Sequence, residues 1–211
     1  MNLYDIRTDY KSHTLNKDEV EKNPIHQFQK WMNEAMKADI GDVNAFTLAT
    51  VDEKNHPTAR MVLLKEVNDY GFVFFTNYLS NKGKQMGENP FVAINFFWKE
   101  LERQVRIDGI VEKISEEDSD DYFNSRPRES QIGAWASPQS SIIHNRPVLE
   151  SRVEFYTEKF KNKTIPRPPQ WGGYIVRPDT IEFWQGRPSR LHDRLLYEWH
   201  DGHWIIERLA P

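Results

Sequence analysis

The sequence predicts an α+β fold that is mainly β, an antiparallel β-barrel with a few helices packed against it. Short runs rich in β-branched and aromatic residues recur along most of the chain and are separated by polar turns. Helical periodicity is confined to a few segments, and no strand–helix–strand rhythm or internal repeat is present. A chain of 211 residues is long enough for one substantial domain with its own core.

The composition is that of a folded globular protein, with 38% hydrophobic and 28% charged residues. The chain contains no cysteine, which excludes disulfides, thiolate metal sites and a cysteine nucleophile. Its formal net charge of −4 argues against general nucleic-acid binding. No apolar run reaches the roughly 20 residues of a membrane span, and the first residues lack the pattern of a secretory signal. We therefore expect a cytoplasmic protein without a metal site, although a lack of cysteine also fits other compartments.

The first half of the chain combines one helix with several strands. Residues 1–23 are polar and are expected to form a flexible N-terminal arm, followed by a single domain over residues 24–211. Helical spacing begins at Pro24, with Asn23 as the predicted N-cap. Strands are expected over residues 45–51, 58–64, 71–76, 91–98 and 101–114. Ser80 is expected to cap a short helix, and Gly109 to mark a bend or bulge.

The second half begins with a capping-box pattern at Ser115, which predicts a helix carrying Tyr122 and Phe123. Residues 126–147 are rich in Arg, Ser, Gln and Pro and are expected to form an irregular functional loop. An amphipathic helix is expected over residues 147–160. Strands then follow over residues 171–177, 180–185, 193–200 and 203–209, the last two joined by a two-residue turn.

The segment Arg190-Leu191-His192-Asp193-Arg194 is unusual in its chemistry. On a strand, Arg190, His192 and Arg194 would share one face. Two guanidinium groups and an imidazole would make a donor-rich surface suited to a phosphate, a phenolate or the edge of a flavin. A solvated strand face, with Asp193 paired to an arginine, is the commoner outcome for such a pattern taken alone.

Other candidate residues lie on neighbouring predicted strands and admit two interpretations each. Arg60 and Lys65 bracket an apolar strand at an odd separation, so they face opposite sides unless the strand ends or bulges before Lys65. Gln104 could bind an amide-rich ring or face water. Trp184 could stack on a ligand, although a structural role is commoner for a buried tryptophan.

A short polar stretch could bind a phosphate. The helix carrying Tyr122 is followed by Arg126, Arg128 and Ser130, so guanidinium and hydroxyl donors are close in sequence. A surface loop with ordinary salt bridges is the alternative. Glycine-rich phosphate loops, zinc-protease motifs and serine-hydrolase motifs are absent from the sequence, so side chains and loop amides would have to bind any phosphate.

The order of these motifs resembles the pyridoxamine/pyridoxine 5′-phosphate oxidase family from about Pro24 to Pro211. The matching segments are residues 60–65, 75–77, 101–105, 125–135, 139–141, 171–173, 182–186, 190–194 and 207–211. The resemblance implies a homodimer of an FMN-binding split β-barrel, with the flavin at the subunit interface. It also implies oxidation of pyridoxamine 5′-phosphate or pyridoxine 5′-phosphate to pyridoxal 5′-phosphate, with dioxygen as the electron acceptor and hydrogen peroxide as a product.

The same resemblance implies roles for individual residues. The FMN contacts would be Arg60, Met61, Val62, Leu63, Leu64, Lys65, Phe75, Thr76, Lys82, Gln104, Gln139, Ser140, Trp184 and Arg194. The substrate contacts would be Arg7, Tyr10, Lys65, Tyr122, Arg126, Ser130, Arg190, Leu191 and His192. Arg190 and His192 would lie against the substrate ring near the reacting carbon and carry the catalytic roles.

Two departures from the family and two rival functions complete the sequence-based picture. Asn81 occupies a position that is often basic in the family, and Phe75 one that is often tyrosine. One rival is a flavin reductase or redox partner. Such a protein would not need all four of the proposed substrate contacts Arg126, Ser130, Arg190 and His192. The other is a pyridoxal phosphate carrier without turnover, which would not need the flavin contacts.

Overall fold

A computed structural model describes residues 1–4, 10 and 13–211 of the chain. These residues form five α-helices: Pro24–Lys37 (α1), Asn81–Glu88 (α2), Glu116–Ser125 (α3), Arg128–Ala136 (α4) and Arg146–Lys159 (α5). They also form nine strands: Ala45–Val51 (β1), Pro57–Leu63 (β2), Glu66–Asn68 (β3), Gly71–Asn77 (β4), Phe91–Trp98 (β5), Arg103–Lys113 (β6), Trp171–Gln185 (β7), Asp193–His200 (β8) and His203–Leu209 (β9). Short 3-10 turns occupy Lys99–Leu101 and Pro188–Arg190.

All nine strands belong to one antiparallel sheet that divides at β7. The main strand order is β2-β1-β5-β6-β7-β4-β3, while β8 pairs with β7 and β9 pairs with β8. Strand β7 pairs with β6 along its length, and with β4 in its first part and β8 in its last part. This arrangement confirms the predicted α+β class and the antiparallel split barrel.

The core lies between helix α1 and the concave side of the sheet. Phe28 of α1 is fully buried, and its ring centroid lies 4.9 Å from that of Phe72 and 5.0 Å from that of Phe96. Trp31 is also buried, whereas Met36, near the end of the helix, is 57% exposed. Burial of such large rings supplies most of the driving force for packing α1 on the sheet.

Local signals in the sequence predicted the helix starts and one irregularity correctly. The side chains of Asn23, Ser80 and Ser115 each accept a hydrogen bond from a backbone amide of the first turn of α1, α2 and α3, respectively. The β6–β7 register shifts at Asp108 and Gly109, as expected for a bulge. A Cβ at Gly109 would lie 2.1 Å from the carbonyl oxygen of Arg177, so only glycine permits this close approach.

Three predictions about secondary structure were wrong. Residues 126–147 are not one irregular loop, because α4 occupies part of them and buries Ile132 and Ala136, four residues apart on one face. Residues 171–185 form one continuous strand, since Pro178 lies at the bulge opposite Gly109 and does not interrupt the pairing. The short strand β3, which pairs with β4, was not predicted.

The segment around Leu15 packs against the β8–β9 hairpin. Leu15 is 4% exposed, and its backbone amide donates to Asp193 at 3.2 Å. Its carbonyl oxygen accepts from Arg208 at 2.8 Å. The division into an N-terminal arm and a single domain stays a prediction. Within the described ranges, no helix is long and apolar enough to cross a membrane.

Candidate active site

A cavity of about 490 Å³ opens where the ends of β2 and β4 meet helices α3 and α4. Strand β2 ends at Leu63, which resolves the odd spacing of Arg60 and Lys65 in favour of a strand that stops before Lys65. The cavity lining combines predicted flavin contacts with predicted substrate contacts. The lining residues are Met61, Val62, Leu63, Lys65, Phe75, Thr76, Lys82, Tyr122, Arg126, Pro127, Ser130, Gln139 and Trp171.

One end of the cavity carries a cation with neutral partners. The Lys82 ammonium donates to the hydroxyl of Thr76 and to the side-chain oxygen of Gln139, both at 3.3 Å. Burial and the nearby charge of Arg60 lower the pKa of Lys82, which shows that the two cations interact. Neither Arg60 nor Lys82 forms an ion pair with a carboxylate among the described residues. Lys82 therefore presents to the cavity a positive charge that no protein carboxylate among the described residues neutralises, which suits the binding of an anion.

The same cavity contains a second receptor for an anion, the guanidinium of Arg126. The guanidinium of Arg126 lies 4.6 Å from the ring centroid of Trp171, and burial lowers its pKa. Its Nη1 atom is buried and has no hydrogen-bond partner among the described residues. A buried donor without a partner costs free energy unless a ligand supplies an acceptor.

Aromatic stacking fixes the position of this second receptor. The rings of Tyr122 and Phe75 are stacked with centroids 3.8 Å apart, and the Trp171 ring lies almost parallel to both. Phe75 therefore contributes a ring face here, and the tyrosine hydroxyl that is common at this position is not needed for the stack. No separate role was predicted for Trp171, which entered the prediction only as part of the matching segment 171–173.

Several other predicted site residues form a second cluster, on β7 and around the start of β8. Arg190 ends a 3-10 turn in which Ser189 and Arg190 have φ of +57° and +61°, and β8 begins only at Asp193. The prediction that Arg190, His192 and Arg194 share one strand face is therefore wrong. Pro188 lacks the amide hydrogen a strand needs, and the left-handed residues after it reverse the chain direction.

His192 is oriented by the backbone of this turn. Its Nδ1 atom accepts a hydrogen bond from the amide of Arg187 at 3.1 Å, so the neutral imidazole carries its proton on Nε2. Burial, and then the charge of Arg190, lower the pKa of His192. The imidazole ring lies 4.5 Å from the Trp184 ring, and Tyr10 makes edge contacts with both rings. The turn thus presents a neutral donor beside the exposed guanidinium of Arg190.

Arg194 and Gln104 lie on the sheet face next to this cluster. Trp184 pairs in register with Gln104 on one side and with Arg194 on the other. Gln104 lines another cavity, of about 660 Å³, which shares Met61 with the first cavity. Leu64 is instead a core residue, 6% exposed, and Ser140 is an exposed turn residue with φ of +69°. The predicted contact Arg7 lies outside the described residues.

Within one chain the two clusters do not line the same cavity. In the described part of the chain, no residue between Trp184 and Arg194 lines the cavity that holds Lys82 and Arg126. The surface around the shared residue is apolar, with Met61 64% exposed and Phe97 51% exposed. The structure therefore assembles the predicted site in two separate halves, one on each side of an exposed apolar sheet face.

Comparison with known proteins identifies the family. Residues 32–159 match the family described as pyridoxamine 5′-phosphate oxidase, and residues 171–211 match the pyridoxine 5′-phosphate oxidase C-terminal dimerisation region. The chain is 54% identical over 211 residues to the pyridoxine/pyridoxamine 5′-phosphate oxidase of Actinobacillus succinogenes, covering 100% of both chains. It is 55% identical over 210 residues to pyridoxine/pyridoxamine 5′-phosphate oxidase 1 of Ralstonia nicotianae, covering 99% of each.

Solved structures agree at the level of the fold. The structure of PhzG from Burkholderia lata in complex with tetrahydrophenazine-1-carboxylic acid matches with a TM-score of 0.88 and 27% identity, over 94% of this chain and 98% of that one. A pyridoxamine 5′-phosphate oxidase-related, FMN-binding protein from Nostoc punctiforme matches with a TM-score of 0.70 and 17% identity, over 91% and 100%. From its sequence matches, this chain belongs to the pyridoxamine 5′-phosphate oxidase family.

Proposed function

We propose that the protein is an FMN-dependent oxidase that converts pyridoxamine 5′-phosphate and pyridoxine 5′-phosphate to pyridoxal 5′-phosphate. Dioxygen is the electron acceptor and hydrogen peroxide is a product with both substrates; with the amine, water is also consumed and ammonia is released. The observation that carries the proposal is the pair of cations that line one cavity, Lys82 and Arg126. A cofactor and a substrate that each bear a phosphate require two such receptors. The names of the relatives, which cover the whole chain, agree with this chemistry.

The residues at the Lys82 end fit the phosphate of FMN. Arg60 and Lys82 donate to threonine and glutamine oxygens, so their positive charges are not neutralised by the protein. Asn81, where the family is often basic, is the first residue of α2 and adds no charge to this end. The helix N-terminus itself offers a weak positive potential at that point. Arg60, Lys82, Thr76 and Gln139 are thus the residues that would hold the cofactor phosphate.

The residues around Arg126 fit the substrate phosphate. Arg126 has an unbonded buried Nη1, and Tyr122, Ser130 and Lys65 line the same cavity. A planar guanidinium supported by an aromatic ring can bind a phosphate with little loss of side-chain entropy. These four residues bind and orient the substrate so that its ring extends toward the flavin.

The reaction needs orientation and electrostatics from the chain itself. When bound, FMN supplies the redox chemistry, taking a hydride equivalent from the carbon that bears the amine or alcohol and passing electrons to dioxygen. Arg190 provides a fixed cation beside the substrate ring, and His192 offers its Nε2 proton as a hydrogen-bond donor. Trp184 packs against the His192 ring and restricts its movement. Holding both rings in one geometry is the main contribution of the protein.

The protein works as a homodimer with FMN at the subunit interface. The match of residues 171–211 to a dimerisation region supports this state. The separation of the two clusters within one chain supports it as well, because a partner subunit can bring its Arg190 cluster to the cavity around Lys82 and Arg126. The exposed apolar residues Met61 and Phe97 lie between the two halves, as expected of an interface.

The decisive experiment uses colour and oxygen. Purified protein should be yellow or become yellow with added FMN, and pyridoxamine 5′-phosphate added without oxygen should bleach it. Readmitting oxygen should restore the colour and release one hydrogen peroxide for each pyridoxal 5′-phosphate. A protein that takes up no FMN would exclude the oxidase and leave the carrier. A yellow protein that is bleached by a reduced nicotinamide but not by pyridoxamine 5′-phosphate would identify a flavin reductase.

We further propose a cytoplasmic location for the protein. Both proposed substrates and FMN carry phosphates, which do not cross a lipid bilayer unaided because burying their charge is costly. The enzyme should therefore work in the compartment where its substrates are phosphorylated. Cell fractionation with activity measurement tests this location, and recovery of the activity outside the cytoplasmic fraction would contradict it.

A further inference from the structure

Gln85 on helix α2 lies at the centre of a hydrogen-bond network around Arg60. Its side-chain oxygen is 2.6 Å from the hydroxyl of Thr50 and 2.9 Å from the hydroxyl of Thr58. The same oxygen accepts from Nη2 of Arg60 at 3.3 Å. Thr50 is completely buried, so its hydroxyl depends on protein partners. The network joins α2 to strands β1 and β2.

The chemistry of the groups fixes the direction of the bonds that Arg60 makes in this network. A guanidinium can only donate, so the hydroxyls of Thr50 and Thr58 accept from Arg60, at 2.5 and 2.6 Å. Each hydroxyl has one proton to donate, and the oxygen of Gln85 lies closer to both hydroxyls than the 3.4 Å that separates them from each other. The amide oxygen is thus the common end point of three donors. It holds Arg60 through the two threonines as well as directly.

A neutral acceptor at this position has a specific consequence for charge. A glutamate of the same size could accept the same three bonds, but it would neutralise Arg60 and repel an anion. The amide of Gln85 orients Arg60 and leaves its positive charge available beside Lys82, whose pKa responds to Arg60. The described network around Arg60 contains only neutral acceptors, the two threonines, Gln85 and the carbonyl of Leu48.

We infer that Gln85 is a positioning residue that holds Arg60 without neutralising it, and that it thereby makes the site selective for a phosphorylated flavin over the same flavin without a phosphate. The inference rests on the proposed function, because it assumes that the anion beside Arg60 and Lys82 is the phosphate of FMN. It adds a residue of α2 that does not itself line the cavity.

The test compares FMN with riboflavin, which lacks the phosphate. Full-length protein freed of flavin is titrated with each flavin, and binding is followed by quenching of flavin fluorescence. Wild type should prefer FMN. In Gln85→Glu, the affinity for FMN should fall at least about tenfold, because a negative charge is added 3.3 Å from the guanidinium of Arg60 and neutralises it. Riboflavin affinity and the unfolding midpoint should stay near wild type, since the new carboxylate keeps the hydrogen bonds.

Two further variants separate charge from position. Gln85→Met keeps the volume but removes the acceptor, so Arg60 is not neutralised and is held only by the two threonines and the carbonyl of Leu48. FMN affinity should therefore fall less than in Gln85→Glu. Gln29→Glu makes the same charge change on α1. Among the described residues, the side chain of Gln29 donates to the carbonyl of Val67 and has no contact with Arg60, so this variant should leave the FMN preference unchanged. This variant is the control for the change in net charge.

The outcomes distinguish this inference from the proposed function. If Gln85→Glu keeps the wild-type ratio of FMN to riboflavin affinity, or loses both flavins equally, Gln85 has at most a structural role and the inference is overturned. If wild type itself binds neither flavin, or binds riboflavin as tightly as FMN, the proposed cofactor site is wrong. The preference for FMN in wild type and its loss in Gln85→Glu alone would together support the inference.

Discussion

The carboxylate of Glu182 and the guanidinium of Arg194 form a bidentate pair, with N–O distances of 2.7 and 3.0 Å. The Glu182 side chain is 5% exposed, whereas that of Arg194 is 24% exposed. The hydrogen bond to Glu182 raises the pKa of Arg194, and a third bond joins Arg194 to the carbonyl of Ala210. Arg194 is therefore fixed beside Trp184 before any ligand binds, which suits a residue proposed to contact the flavin.

Breaking this pair should destabilise the protein. Glu182→Gln should cost about 2 kcal/mol, less than the roughly 3–5 kcal/mol of a fully buried pair, because Arg194 is partly exposed to solvent. Urea denaturation measures the change in unfolding free energy. Glu112→Gln is the matched control, because Glu112 pairs with Arg177 at 2.7 Å with both side chains about half exposed. The control should cost about 0–1 kcal/mol. Equal losses in the two variants would contradict the argument.

Replacing Arg126 should weaken substrate binding and leave the flavin in place. Arg126→Lys keeps the charge but loses the planar group that packs on Trp171, so we expect KM for pyridoxine 5′-phosphate to rise about tenfold or more. Steady-state kinetics and the flavin absorbance of the purified variant measure the two effects. Arg146→Lys, at an exposed ion pair on α5, is the control and should behave as wild type. Loss of FMN from Arg126→Lys would assign this residue to the cofactor instead.

Arg190 should affect the reaction more than flavin binding. Arg190→Ala removes a fixed cation near the reacting centre, and we expect turnover to fall by about 10²-fold, as for loss of one preorganised electrostatic group. The flavin content, read from the absorbance spectrum, should remain near wild type. A colourless Arg190→Ala protein that folds normally would show that the residue holds the cofactor.

Two inactive variants should complement each other if the site is shared between subunits. A mixed dimer of Arg126→Ala and Arg190→Ala has one site lacking both groups and one site in which both are intact. Co-expression with two different affinity tags allows the mixed dimer to be isolated, and it should regain activity that neither parent shows. Activity no higher than that of the parents would mean that each site takes both residues from the same chain.

Local signals made most of the fold predictable, while the site depended on tertiary contacts. The caps at Asn23, Ser80 and Ser115 were recognised because a capping side chain acts on amides only two or three residues away. Helix α4 was missed because its buried pair, Ile132 and Ala136, lies in a segment dominated by polar residues. The helix is stabilised by burial of these two residues against the rest of the protein. The spacing of apolar residues in so short a helix is not enough to predict it.

The two halves of the site illustrate the same limit. Motif order brought Lys82, Arg126 and Arg190 into one prediction, and nothing in their spacing indicated that a single chain would keep Arg190 apart from the other two. The left-handed backbone at Ser189 likewise has no signal in a sequence that reads as a regular alternation. Such conformations are imposed by the surrounding structure.

The imidazole of His192 should make the stability of the protein sensitive to acid. Burial and Arg190 lower its pKa below the usual value of 6.5, so the unfolded chain binds a proton more readily than the folded one. The stability contributed by the neutral ring is therefore complete above about pH 6.5 and is lost as the pH falls toward the lower folded-state pKa. Unfolding free energies of wild type and His192→Gln between about pH 5 and about pH 8 test this. Wild type should lose more stability on acidification than the variant, and parallel curves for the two proteins would contradict the assignment of a neutral His192.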